Sequence, residues 1–233
     1  KIQLNKFKTT KKTFIYNNKG FKNCKKKLYK QKTNYDIIDS YLQIFKHANQ
    51  NNYNNILIFE DDFILNRLFL KEDINSINDF CLNNKHKNFI LNLGMIPLLL
   101  YPINLNFYKI LLGFSTHNSI YSKSIRKHIF DNIHFINKKG DWDWYLNSLN
   151  CRYIYKKPLI YQKFEDTDNR KNWSLSHYGI KDLVIYYLNL LDFEHNYKKA
   201  FQFHYNLVFA INLFLVILFL IILYKIIYLV NKS

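Results

Sequence analysis

The sequence predicts an α/β domain built on a mostly parallel sheet flanked by helices, followed by one C-terminal transmembrane helix. Three observations predict it. Apolar runs of strand length alternate with segments of helical periodicity between residues 34 and 163. Two of those runs, ILIF (residues 56–59) and FILNL (residues 89–93), are nearly unbroken, as expected of strands buried on both faces. Residues 200–224 contain no Lys, Arg, Asp or Glu, and about 20 apolar helical residues suffice to cross a ~30 Å hydrocarbon layer.

The elements follow in order. TFIYNN (residues 13–18) reads as an entering strand, with a lysine-rich turn after Gly20. NYDIIDSYLQIFKHANQNN (residues 34–52) sets Ile37, Ile38, Tyr41, Leu42, Phe45 and Ala48 at helical spacing. Residues 56–59 read as a central parallel strand, and residues 71–84 as a helix with Ile74, Ile77 and Cys81 inward. NFILNLG (residues 88–94) reads as a second buried strand stopped by Gly94. Residues 95–106 hold Pro97 and Pro102 and read as a loop. FYKILLG (residues 107–113) and HNSIYS (residues 117–122) read as strands, and Ser122 as the cap of a helix over residues 122–132. GDWDWYLNSLN (residues 140–150) opens with a glycine and puts acids in a first helical turn. RYIYKKPLIYQ (residues 152–162) is a late strand broken by Pro158, and residues 164–176 read as a polar loop.

The organisation that results is a domain over residues 1–195, a juxtamembrane linker over 196–206 and a membrane span over 207–230. Lys198 and Lys199 precede the apolar run, Lys232 follows it and Lys225 can snorkel. Tyr205, Tyr224 and Tyr228 suit the interface. No signal peptide is visible, so the domain is expected in the cytosol, held at the membrane by its tail.

The formal charge is +17, from 34 Lys and Arg against 17 Asp and Glu. Only four of the 34 are arginine, the residue suited to bidentate phosphate recognition, so nucleic acid is not expected as a partner. The three cysteines, Cys24, Cys81 and Cys151, lie far apart and form no metal or redox pair.

The chemistry concentrates at NNILIFEDDFIL (residues 54–65), where an apolar strand runs into Glu60, Asp61 and Asp62. Open α/β sheets bind ligands at the carboxyl ends of their strands. Side chains alternate along extended backbone, so Glu60 and Asp62 share one side and Asp61 takes the other. Two buried carboxylates this close repel each other, and a hard divalent cation, Mn²⁺ or Mg²⁺, resolves the conflict while also recruiting substrate phosphates. The alternative is an acidic turn exposed to water. No P-loop, G-x-G-x-x-G turn, H-E-x-x-H or G-x-S-x-G is present. Trp142 and Trp144 read either as core or as a stacking surface for a sugar, and His117 and His177 as surface histidines, sugar contacts or a third metal ligand.

NNILIFEDDFIL resembles the metal-binding strand of family 25 glycosyltransferases, which include lipopolysaccharide and procollagen galactosyltransferases. The resemblance continues in order through FILNLG, GFSTHNSIYSKSIRKHIF, DWYLNSL and KKPLIYQ, covering roughly residues 34–163. The family's opening strand, with its INLD-like start, is not evident. The resemblance implies a GT-A fold, a nucleotide-sugar donor, usually UDP-linked, a hydroxyl acceptor on a glycan, lipid or protein, and inversion at the anomeric carbon. It implies Glu60 and Asp62 as metal ligands, with His177 as the late histidine that such enzymes often add. It implies Asp143 as the general base, with Asp141 as competitor. Asp61, Gly94, Gly113, His117, Tyr121, Trp144 and Gln162 are the expected donor or substrate contacts. Two further readings remain: a GT-A-like membrane-bound scaffold without activity, and a basic membrane or nucleic-acid binding protein.

Overall fold

The computed structural model describes residues 13–66, 70–163 and 180–232. Helix α1 (Thr33–Gln50) precedes β1 (Asn55–Phe59), β2 (Phe63–Leu65) and α2 (Lys71–Asn83). Then come β3 (Ile90–Asn92), β4 (Ile96–Pro102), β5 (Phe107–Phe114) and β6 (Asn118–Ser122). Three short helices follow, α3 (Lys123–Asp131), α4 (Ile133–Lys139) and α5 (Trp142–Asn147). The chain closes with β7 (Arg152–Tyr155), β8 (Ile160–Gln162), α6 (Ile180–Leu190) and α7 (Tyr197–Val230).

The architecture is α/β, but the sheet is mixed rather than mostly parallel. Six strands lie in the order β1-β6-β3-β7-β5-β4, and only β3 and β7 pair in parallel. Connection length explains this. β4 and β5 are joined by a short loop, which permits only an antiparallel pair, whereas three strands and three helices separate β3 from β7 and allow a crossover. β3 is the strand buried on both faces. Ile90 packs among α1, α3 and α5, and Leu91 packs on the other side with Phe80 of α2.

Three other expectations are corrected. The apolar strand before the acids is an edge of the sheet, paired there with β6 alone, and Leu57 is 42% exposed. An apolar run does not by itself distinguish one-sided from two-sided burial. Residues 96–102 form a strand despite Pro97 and Pro102. β4 is the opposite edge and its register is interrupted between Pro97 and Leu100, the setting in which a strand accepts proline. TFIYNN forms no strand, although the turn after Gly20 is present, with Gly20 O accepting from the Asn23 and Cys24 amides at 3.1 and 3.2 Å.

Local chemistry accounts for the helix ends. Ser122 Oγ accepts the Ile125 amide at 3.3 Å, as expected of the N-cap of α3. Gly140 closes α4 at φ +67°, a left-handed conformation in which a Cβ would also lie 2.7 Å from Tyr35 Oη. On α2 the inward face is Asp73, Ile77 and Phe80, and Ile74 is exposed. Asp73, at the third helical position, accepts the Leu70 amide at 2.8 Å.

The stretch expected as a linker is instead the packed first part of α7. Ala200, Phe201, His204, Tyr205, Val208 and Asn212 are buried against β4 and β8. That spacing is a helical stripe. The Tyr205 hydroxyl accepts the Met95 amide at 3.3 Å, His204 Nε2 lies 2.8 Å from Pro97 O, and Asn212 Oδ1 accepts the Leu100 amide at 2.9 Å. Beyond this stripe α7 is exposed and apolar. With 34 residues and a mean hydropathy of 3.0 in its most apolar window, it is long and apolar enough to cross a membrane. The polar loop expected at residues 164–176 lies outside the described residues.

Candidate functional site

The acidic cluster is positioned by pairing on two sides. Phe59 is opposite Asn118 in the β1–β6 ladder, and the next amide, that of Glu60, donates to His117 O at 2.9 Å. Phe63 is opposite Gln162 in the β2–β8 ribbon, and Lys163 donates its amide to Asp62 O at 3.0 Å. The three acids are therefore held between a sheet edge and a separate two-stranded ribbon.

Asp61 is exposed in the turn that follows β1, while Glu60 and Asp62 are half-buried. Glu60 Oε1 accepts from the Tyr41 hydroxyl at 2.8 Å, and Tyr41 is stacked on Trp142 with centroids 4.7 Å apart. Burial of the carboxyl end, then the charges of Asp62 and Asp143, push the Glu60 pKa up to about 8, against the lowering effect of the Tyr41 bond. Asp62 Oδ2 accepts from Gln162 Nε2 at 2.8 Å.

Asp143 lies in the first turn of α5 and is clamped by the loop before β6. Its Oδ2 accepts the Ser115 amide at 2.9 Å and its Oδ1 the Thr116 hydroxyl at 2.6 Å. Ser115 adopts φ +69°, rare for a residue with a side chain, and this turns its amide toward Asp143. Ser115 Oγ donates to Gln162 Oε1 and lies 3.0 Å from His117 Nδ1. One network thus runs from Asp62 through Gln162 and Ser115 to Asp143. It joins residues 81 apart in sequence, from Asp62 to Asp143.

The other expected site residues are distributed as follows. Asp141 is the N-cap of α5, accepting the Trp144 amide at 3.0 Å. Trp142 is core, and Trp144 is half-buried with its ring edge-to-face on Phe114 at 5.5 Å. His117 is fully buried. Burial pushes its pKa down to about 3 and keeps it neutral, and its Nε2 meets no hydrogen-bond partner among the described residues. Tyr121 is buried between Tyr41 and Phe45. Gly94 permits a chain crossing, since a Cβ there would fall 1.8 Å from Ile160 O. Gly113 accommodates Met95, whose Cε would lie 2.4 Å from an added Cβ. His177 lies outside the described residues.

Two residues were not anticipated. Arg152 is fully buried without a carboxylate in salt-bridge contact among the described residues. It donates to Asn147 Oδ1 at 2.5 Å and Gly113 O at 3.4 Å. Burial lowers its pKa, and the Asp143 charge acts in the opposite sense. Asn118 is fully buried with neither amide atom bonded among the described residues, which is uncommon for a native interior. A scarce arginine beside an apolar strand was the only available sign of the first, and nothing in the sequence marks the second.

No group of three or more His, Cys, Asp or Glu side chains able to hold a metal occurs among the described residues. Glu60 and Asp62 are a two-carboxylate oxygen donor set with mutual repulsion, which suits a hard divalent cation completed by water or phosphate rather than an all-protein cage. Comparison of the sequence with protein-family models and with curated proteins returns no match.

Proposed function

We propose that the chain is a membrane-anchored glycosyltransferase that moves a hexose from a nucleotide sugar, UDP-linked, to a hydroxyl of a glycan, lipid or protein, with inversion. One observation carries the reading. The acid in the best position to act as a base, Asp143, shares a hydrogen-bond network with Asp62 of the carboxylate pair, through Ser115 and Gln162. The motif resemblance to family 25 glycosyltransferases supports it.

In this reading Glu60 and Asp62 hold Mn²⁺ or Mg²⁺. The bound cation supplies charge neutralisation for the departing diphosphate. Asp143 accepts the proton of the acceptor hydroxyl. Ser115 and Thr116 fix the direction of its lone pairs. Tyr41 orients Glu60. Helix α7 holds the domain at the membrane, with the domain on the cytosolic side.

A second reading, a GT-A-like scaffold without activity, draws on one observation: both Asp143 oxygens already accept hydrogen bonds from the chain itself. One experiment separates the two. The full chain is given a panel of UDP-sugars with Mn²⁺, and UDP release is followed. Release with one sugar, abolished by Asp143→Asn, is the expected outcome. Metal-dependent UDP binding with no release from any sugar favours the scaffold, and absence of both sinks the nucleotide-sugar reading.

A further inference from the structure

We infer that the β4–β5 hairpin is a second membrane element, inserted into an anionic lipid surface beside α7. The inference rests on α7 crossing a bilayer, which the experiment below tests separately.

The geometry of α7 against β4 sets the depth. The two run in the same direction, with His204 at Pro97 and, further on, Asn212 at Leu100. Phe209 stacks on Tyr108 of β5, centroids 4.6 Å apart, so the helix lies across the hairpin rather than touching its base. A span needs about 20 helical residues. Counted back from Val230, the last helical residue, the hydrocarbon layer begins near Ile211; counted back from Lys225, it begins near Tyr205. On either count Asn212, and Leu100 with it, stands at or inside the boundary. β4 continues to Pro102 before the hairpin turns, ~7 Å further at ~3.3 Å per residue. If the span is real, the tip has no place outside the lipid.

The tip has the composition that this position demands. Tyr101, Ile103 and Leu105 are 56%, 46% and 90% exposed, and no acid lies between Leu98 and Gly113. Apolar side chains this exposed on a loop mark an interaction surface. The backbone is also prepared. Ile103 and Asn104 donate their amides to Phe107 O, while Asn106 and Phe107 donate theirs to Asn104 Oδ1. At the sheet edge the two prolines of β4 carry no amide and Asn212 takes that of Leu100. Lipid tolerates irregular backbone only when its polar groups are satisfied internally. Lys156, whose amide donates to Asn106 O at 2.9 Å, is exposed beside the tip, from where its long side chain can reach up to anionic headgroups.

The test uses the full chain in vesicles of phosphatidylcholine and phosphatidylserine. In a background with Cys24, Cys81 and Cys151 changed to serine, single cysteines carrying an environment-sensitive fluorophore are placed by Leu105→Cys, Leu220→Cys and Phe135→Cys. Lipids bearing nitroxides on their acyl chains are the quencher. Labels at Leu105 and Leu220 are expected to shift to the blue and lose emission to the quencher, while the label at Phe135 on α4 does neither. A water-exposed label at Leu105 beside a quenched label at Leu220 overturns the hairpin and leaves the anchor standing. Failure of quenching at both overturns the span and the hairpin together. Hydroxyl-radical oxidation of the unaltered chain in the same vesicles needs no substitution. Tyr101 should be protected relative to exposed Tyr29, and equal oxidation of the two overturns the proposal.

Discussion

The backbone amide of Ser115 donates to Asp143 Oδ2 at 2.9 Å from a residue held at φ +69°. A strained backbone that aims a donor at one carboxylate costs of order 1–3 kcal/mol and persists only where its surroundings enforce it. Thr116 adds the second bond to the same side chain, at 2.6 Å. The loop before β6 therefore fixes the orientation of a single acid on α5.

Replacing that acid is the most direct test of its role. Asp143→Asn keeps the shape and removes the base, so transfer should fall by about 10²–10⁴-fold while UDP affinity changes little. Steady-state kinetics and titration of UDP measure the two quantities. Near-normal turnover in this variant, with a dead Asp141→Asn, would reassign the base to the α5 cap.

The carboxylate pair makes a separate prediction about metal. Asp62→Ala removes one of two expected ligands and the partner of Gln162, yet leaves the β1–β6 ladder untouched. Calorimetric titration of UDP with Mn²⁺ should lose its metal-dependent heat. The same isotherm as the unaltered chain would mean that the cation, if any, binds elsewhere.

The residues of the candidate site could be picked out in the sequence because side-chain type and order are legible there. Short motifs singled out Glu60, Asp62, Asp143 and Gln162, and in the structure Asp62, Gln162 and Asp143 share one hydrogen-bond network through Ser115. Gln162 reaches Asp62 only because β2 pairs with β8, and β2 is three residues long, too short to give a periodic signal. The left-handed Ser115 was not legible, since no glycine marks the bend. The direction of the sheet strands was missed for a different reason. An apolar strand pattern carries no sign of its partner's polarity, and Pro97 and Pro102 suggested a loop where an edge strand tolerates both. The stripe from Ala200 to Asn212 was present in the sequence all along, obscured by the apolar run that follows it.

Stability should depend on acid pH through Asp73. Burial pushes its pKa up, but the Lys157 ammonium at 2.9 Å, the Leu70 amide and the Tyr155 hydroxyl outweigh this and hold it below the ordinary 3.8. A carboxylate whose folded pKa is depressed stabilises the fold above its unfolded pKa, and that contribution is lost as pH falls through the folded value. Asp73→Asn should therefore destabilise by about 1–3 kcal/mol at neutral pH, with the difference shrinking as pH falls through the depressed folded pKa. Urea melts of both chains across that range decide it, and a difference that persists at the lowest pH would locate the effect in packing.

The packed part of α7 makes truncation informative. The full chain should resist extraction by alkaline carbonate. A chain ending at Asn206 should leave the membrane but be less stable, since it loses the Asn212 cap on Leu100 and the burial of Val208. The two losses amount to about 1–3 kcal/mol for the orphaned amide and ~1.5–3 kcal/mol for the apolar side chain. Thermal melts against the single variant Asn212→Leu separate them. A truncated chain as stable as the full one would show that α7 beyond Asn206 contributes nothing to the fold.

Helix α7 packs on the domain over its first part and runs without a break into the apolar stretch that is long enough to cross a membrane, so no flexible tether separates the two among the described residues. A domain on a flexible stalk samples a volume and can search for acceptors at any height. On the proposed reading the carboxylates would instead stand at one altitude above the lipid and at one tilt, and the site would act as a gauge. A hydroxyl that projects to that altitude would be served by the proposed transferase, while one held closer or further would be passed over whatever its local chemistry. Distance from the bilayer would thereby become a selection rule for the proposed activity, set by the number of helical turns between Phe201 and Asn212.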